Sequence, residues 1–198
     1  MLTIKTKYTF FLKVYIMKDR IGMLILICLI VWSCKPIKTD NPDYQVYSTI
    51  LSSFEASTLI VRKYTKPLGN DYDYSTLVQK MSLLEEDTFN DFMMKLNIPD
   101  TLDYLFTSKK QIFLMTDDEI KKAFSSPKEY FGIDLYKKIG MIQGITTFSR
   151  IGFNKSRTQA LVCDWTQTGE LGGSGYFSLF EWKHNKWKLK QSKLFGIS

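Results

Sequence analysis

The chain has 198 residues, enough for a single domain with a substantial core. Lys and Arg number 27 against 20 Asp and Glu, a formal net charge of +7. Residues 1–34 hold the bases Lys5, Lys7, Lys13, Lys18 and Arg20 and the acid Asp19, so the remainder carries 22 bases against 19 acids, a net +3. That mild balance excludes the electrostatic footprint of a nucleic-acid binder, and no nucleic-acid partner is expected. One histidine and three cysteines leave little material for zinc sites or histidine-based hydrolysis.

The first element is apolar. Lys18 and Arg20 precede an uninterrupted run from Ile21 to Trp32, followed by Ser33 and Cys34. The run is shorter than the roughly 20 residues that a membrane-spanning helix needs, and it lacks the polar face of a core helix. A positive flank, a short apolar core and a small residue at a cleavage point describe a secretory signal. With a cysteine directly after Ser33, the segment resembles a bacterial lipoprotein signal. The resemblance implies removal of residues 1–33, lipidation of Cys34 and anchoring of the exported protein to a membrane of the cell envelope. Met17-Lys-Asp-Arg makes a second, better signal start, which marks residues 1–16 as a candidate misassigned extension.

Residues 34–44 (CKPIKTDNPDY) read as the lipidated cysteine and a tether, and residues 45–198 as one α+β domain. Val46, Ile50 and Phe54, with Tyr47 and Leu51, predict an amphipathic helix, and the β-branched stretch Thr58–Thr65 predicts a strand. Pro67–Asp73 reads as a loop, followed by helical patches over Ser75–Leu84 and Asp87–Leu96. The second patch places Phe89, Phe92, Met93 and Leu96 on one face. Gln111–Met115 predicts a buried strand. Thr116 and Glu119 form a capping-box pattern that opens a helix over Asp117–Phe124. Ser126-Pro127 opens another helix, closed by Gly140.

Beyond Gly144 come strand-like runs over Ile145–Phe153, Arg157–Trp165, Tyr176–Lys183 and Trp187–Lys193, separated by turn signals. They predict an antiparallel meander with the preceding helices packed on one face. In the last run Trp187 and Leu189 alternate with Lys188 and Lys190, predicting one buried and one wet face.

Chemistry-bearing residues are sparse. Cys163, the one cysteine of the domain beyond Cys34, sits in a strand-like context and reads as a small buried hydrophobe. His184 lies in a tight turn. The glycine-rich segment 169–175 precedes a strand, not a helix, so it reads as a hairpin loop and not as a phosphate cradle; Gly173 and Tyr176 there allow close approach of a ligand or partner. Trp182 and Trp187 with Lys183, Lys186, Lys188 and Lys190 form a basic, aromatic hairpin, a candidate contact surface. Glu85-Glu86-Asp87 and Asp117-Asp118-Glu119 sit where helix N-termini favour carboxylates. No metal site and no cofactor are expected. Ser149 and Arg150 share a strand, and Asp164 on the next run is the candidate ion partner of Arg150.

Ser149–Asn154 (SRIGFN), Thr158–Val162 (TQALV), Gly172–Tyr176 and Lys186-Trp187-Lys188 together resemble a group of small, mostly uncharacterised secreted bacterial proteins. The resemblance covers about the last 55 residues of the sequence and implies no established activity. Members often carry cysteines around the glycine-rich loop; Thr168 and Leu171 stand there in this chain, so no disulfide is implied. The functional expectation is a membrane-anchored extracytoplasmic lipoprotein that binds a protein or small ligand in the cell envelope without catalysis. One alternative is a hydrolase using Ser149 or Ser174. The other is an accessory or immunity-type protein that binds a co-encoded partner.

Overall fold

The computed structural model describes residues 41–67, 76–77, 80–124, 142–168 and 172–197. They all belong to the compact unit Thr39–Ser198. The expected signal, Cys34, the tether up to residue 40, the loop over 68–73, the helix over 126–140 and positions 169–171 lie outside the described residues.

Helix α1 (Pro42–Ser53) begins inside the stretch expected to be tether. Pro42 and the N-cap Asn41, whose side chain accepts from the Asp43 N–H at 3.0 Å, explain that start. Tyr44, Val46, Tyr47, Ile50 and Leu51 form its buried face. Strand β1 (Thr58–Arg62) follows. Helix α2 (Glu86–Leu96) buries Thr88, Phe89, Phe92 and Leu96, whereas Met93, expected on that face, is 43% exposed. Strand β2 (Gln111–Met115) leads into helix α3 (Asp117–Phe124) through the expected capping box. There the Thr116 N–H donates to Glu119 Oε2 at 2.8 Å, and the Glu119 N–H donates to Thr116 Oγ1 at 3.2 Å. The chain then forms β3 (Ile142–Phe148), β4 (Gly152–Phe153), β5 (Gln159–Gln167), β6 (Gly173–Trp182) and β7 (Trp187–Ile197).

These strands make a seven-stranded sheet in the order β2-β1-β3-β5-β6-β7, with β4 also paired to β5. The α+β class with a sheet holds, but the sheet is mixed. β1 runs parallel to both β2 and β3, while β3, β5, β6 and β7 pair antiparallel in succession. The expected meander is therefore its C-terminal portion. The long connections on either side of β2 suit parallel neighbours, which no short hairpin joins.

The helices also differ from expectation, since they cover both faces. On one face α1 packs over Leu59, Val61, Phe148, Val162 and Phe180. On the other, α2 packs over Leu161, Cys163, Phe177 and Leu179, and Ile120 of α3 packs over Ile60 and Ile145. Leu59-Ile60-Val61 is buried on both sides, which accounts for a run with no polar alternation.

The expected strand over Ile145–Phe153 is interrupted. Phe148 pairs with Asp164, yet Gly152 pairs with Leu161, so Ser149-Arg150-Ile151 holds one extra residue against β5. This is a β-bulge, and side chains splice it. Ser149 Oγ accepts the Cys163 N–H at 2.9 Å, and the freed Ser149 carbonyl accepts from Tyr47 Oη of α1 at 2.8 Å. On the α2 side, Asp91 accepts the Phe153 N–H at 2.7 Å and Lys95 donates to the Ile151 carbonyl at 3.3 Å. Asn154 then closes the turn, its Oδ1 accepting from the Thr158 and Gln159 N–H groups at 2.8 and 3.0 Å. The hairpin at His184-Asn185 is tight as expected, with both residues at positive φ (55° and 59°).

Candidate functional site

Along β5, Ala160, Val162 and Asp164 alternate onto the face beneath α1. The first two are fully buried, and Asp164 is only 5% exposed. Opposite it stand Phe148 on β3 and Tyr176 on β6. Asp164 lines a cavity of about 230 Å³ with Thr49, Ile50, Ser53 and Phe54 from α1 and with Tyr176, Ser178, Phe180, Leu189 and Ser192 from β6 and β7. The register explains the gathering: Tyr176, Ser178 and Phe180 occupy alternate positions of β6, and Ser192 and Leu189 are the β7 partners of the last two.

The walls are apolar and aromatic, and the polar groups are few. Thr49 Oγ1 donates to the Gln45 carbonyl at 2.8 Å and Ser53 Oγ to the Ile50 carbonyl at 2.7 Å. Their hydroxyl protons are thereby engaged within the helix, which leaves acceptor lone pairs. Ser178 Oγ and Ser192 Oγ lie 3.4 Å apart. Among the described residues the Asp164 carboxyl has neither hydrogen-bond partner nor ion partner. Burial raises its pKa from the ordinary carboxylate value to about 7. Such a group exchanges a proton near neutrality, and once ionised it sits in a poorly solvated position without a counter-charge.

Arg150 does not meet Asp164. Its Nε lies 3.5 Å from Asp100 Oδ2, an ion pair by charge and distance without the geometry of a hydrogen bond. Asp100 comes from the segment between α2 and β2, a partner that no strand alternation in the sequence points to. Ser149 is fully buried, and its hydroxyl donates to the Arg150 carbonyl at 2.8 Å while accepting from Cys163. Both of its hydrogen bonds are to backbone, so Ser149 is a splice in the sheet. Replacing it with alanine strands the buried Cys163 N–H, and urea denaturation is expected to show a loss of about 1–3 kcal/mol. A loss under about half a kcal/mol would contradict this role. Burial pushes the Cys163 thiol well above its usual range, consistent with an inert core residue.

Gly173 lies in β6, not in a loop; a Cβ there would sit 2.8 Å from the Trp165 ring, so the glycine makes room for an indole and is buried beneath it. Trp187 is 5% exposed and packs against Phe153 and Trp182, with ring centroids 5.7 and 5.3 Å away. It belongs to the core under α1, with Trp182 partly buried beside it, and the hairpin presents lysines rather than indoles. Ser174 lies on β6 opposite Thr166 and Ile197. Of the seven binding candidates, only Asp164 and Tyr176 line the cavity.

Sequence reasoning missed the other cavity residues, because Thr49 and Ser53 on α1 lie far in the chain from Ser178 and Ser192 on the β6–β7 hairpin. The available signal was an acidic residue at an inward position of ALVCDW, between strand neighbours that are apolar. A larger cavity, about 320 Å³, lies between α2 and the 153–157 turn. Four of its charged residues are engaged with one another, Lys95 with Asp91 at 2.6 Å and Lys155 with Asp87 at 3.3 Å, and Arg157 completes its charged lining. Among the described residues no three His, Cys, Asp or Glu side chains gather to hold a metal ion. No family model matches the chain, and no curated protein or solved structure matches it.

Proposed function

We propose that this protein is an exported lipoprotein, held to a membrane of the cell envelope through Cys34, whose domain binds a small ligand between α1 and the sheet without transforming it. The observation that supports binding is the cavity itself: aromatic and aliphatic walls around a buried carboxyl at Asp164 that has no partner among the described residues. Ligand sites combine apolar walls with a few placed polar groups in this way. At about 230 Å³ the cavity suits a fragment-sized ligand and not a large one. A non-catalytic role is favoured over the hydrolase alternative because Ser149, its first candidate nucleophile, spends both hydrogen bonds on backbone.

The anchor rests on the order Lys18 and Arg20, apolar run, Ser33, Cys34. Cell fractionation tests it: the parent protein is expected in the membrane pellet, and Cys34→Ser is expected to lose lipid labelling and shift to the soluble or uncleaved form. Identical labelling and partitioning of the two proteins would reject the anchor. The binding half is tested separately by Ser178→Leu, which fills the cavity and is expected to abolish thermal stabilisation by fragments that stabilise the parent.

A further inference from the structure

The ligand's charge follows from what the cavity lacks. Among the described residues its lining contains one carboxyl, one phenol (Tyr176) and hydroxyls, but no Lys, Arg or His. The elements around Asp164 present Phe148 from β3, Tyr176 from β6, and Thr49, Ile50, Ser53 and Phe54 from α1, so no described neighbour there supplies positive charge. A base at the end of α1 is committed elsewhere: Lys110 Nζ donates to the carbonyls of Phe54 and Ala56.

Two of the other polar groups share the carboxyl's preference, and the Tyr176, Ser178 and Ser192 hydroxyls can accept as well as donate. Thr49 and Ser53 give their protons to helix carbonyls and offer only acceptors to a ligand. The last turn of α1, the negative end of the helix dipole, supplies Ser53 to the lining. Phe54, Tyr176 and Phe180 add aromatic rings, whose faces attract cations.

We propose that this cavity takes a small primary alkylammonium, its N–H groups on the Asp164 carboxylate and neighbouring hydroxyl oxygens and its alkyl chain against the aromatic and aliphatic walls. This rests on reading the cavity as the binding site, and it adds the class of ligand. An ammonium is the counter-charge that Asp164 otherwise lacks, and its N–H donors fit the acceptor lone pairs of Thr49 and Ser53 beside it. A carboxylate ligand would meet repulsion, and a neutral ligand would leave the ionised Asp164 without a counter-charge.

The test uses the purified full chain and three probes of nearly one size: n-butylammonium, n-butanol and butanoate. Each is titrated at pH 8 while the Asp164 carboxyl carbon is followed by NMR. Butylammonium is expected to saturate at least about tenfold more tightly than butanol, with no saturation by butanoate. Asp164→Asn, followed by the backbone amide signals of the cavity strands, is expected to lose that preference. As pH falls below the Asp164 value of about 7, butylammonium affinity in the parent protein is expected to fall about tenfold per pH unit, because the carboxyl must first lose its proton. This pH profile is read on the parent protein alone and so does not depend on the folding of a variant; a flat profile would overturn the pairing with Asp164. Equal or tighter binding of butanol or butanoate overturns the cation assignment while retaining a ligand cavity. No saturable binding by any probe overturns the assignment and the cavity's role in binding together.

Discussion

Gly152→Ala is expected to be severely damaging, with a loss of about 3 kcal/mol or more. A Cβ on Gly152 would lie 2.3 Å from the Phe92 backbone nitrogen, 2.4 Å from its Cβ and 2.5 Å from its Cα. The obstruction is the backbone of α2, not the end of a side chain that can swing aside. Moving α2 would also pull Asp91 from the Phe153 N–H and Lys95 from the Ile151 carbonyl. It would disturb Phe89, Phe92 and Leu96, which cover Leu161, Cys163 and Phe177. Since domains have only about 5–15 kcal/mol in total, partial unfolding at ambient temperature is the expected outcome. Gly196→Ala is the comparison, because its Cβ would approach only the Trp165 ring, at 3.1 Å. Urea denaturation of both variants provides the measurement. A Gly152 variant within about 1 kcal/mol of the parent would show that α2 does not lie directly on β4.

Asp164→Asn is expected to remove a pH dependence of stability. In the unfolded chain this carboxyl titrates near 3.8, and in the folded domain burial raises it to about 7. Between those values the folded state holds a proton that the unfolded state has released, so stability falls as pH rises. The slope is about 1.4 kcal/mol per pH unit, which gives at most about 4 kcal/mol over the window. Below the lower value the group contributes no penalty, and above the upper value the penalty is complete. Asparagine carries no titrating proton, so the variant is expected to match the parent near pH 4 and to exceed its stability by about 2–4 kcal/mol at pH 8. Asp43, also raised by burial, acts in the same direction, while Asp117, lowered chiefly by its hydrogen bond from Lys66, acts in the opposite one. The difference between parent and variant cancels both. Urea midpoints at pH 4.5 and pH 8 report it directly. A parent–variant difference independent of pH would mean that Asp164 is solvated or paired.

Both expectations concern residues whose roles are partly visible in the sequence. Gly152 lies in the SRIGFN segment, and each position of that segment has a structural task. Ser149 and Asn154 replace ladder hydrogen bonds, Arg150 reaches Asp100, Ile151 and Phe153 enter the core, and Gly152 admits α2. A stretch that reads as a candidate site is thus a joint in the framework. The candidate site lies instead where Asp164 faces α1, and only Asp164 and Tyr176 of the cavity residues stand out by residue type.

Local rules sufficed where the determining contacts are a few residues apart. The Thr116–Glu119 capping box, the tight turn at His184-Asn185 and the strand character of Gln159–Gln167 are each set by near neighbours. So is the period that turns Phe89, Phe92 and Leu96 to one side of α2. Periodicity failed at Leu189, expected to be buried and 55% exposed, because α1 covers Trp187 but leaves most of the β7 edge open.

By itself the sequence determined most of the element types and the α+β class, since these depend on side-chain period and short-range hydrogen bonding. Only the tertiary structure decided the parallel pairing of β1 with β2 and β3 and the placement of helices on both faces. It also decided the pairing of Arg150 with Asp100 in place of Asp164, and the enclosure of Asp164 by residues of α1, β6 and β7. Those outcomes depend on which distant surfaces exclude water together, and a periodic pattern states that a face must be covered without stating by what.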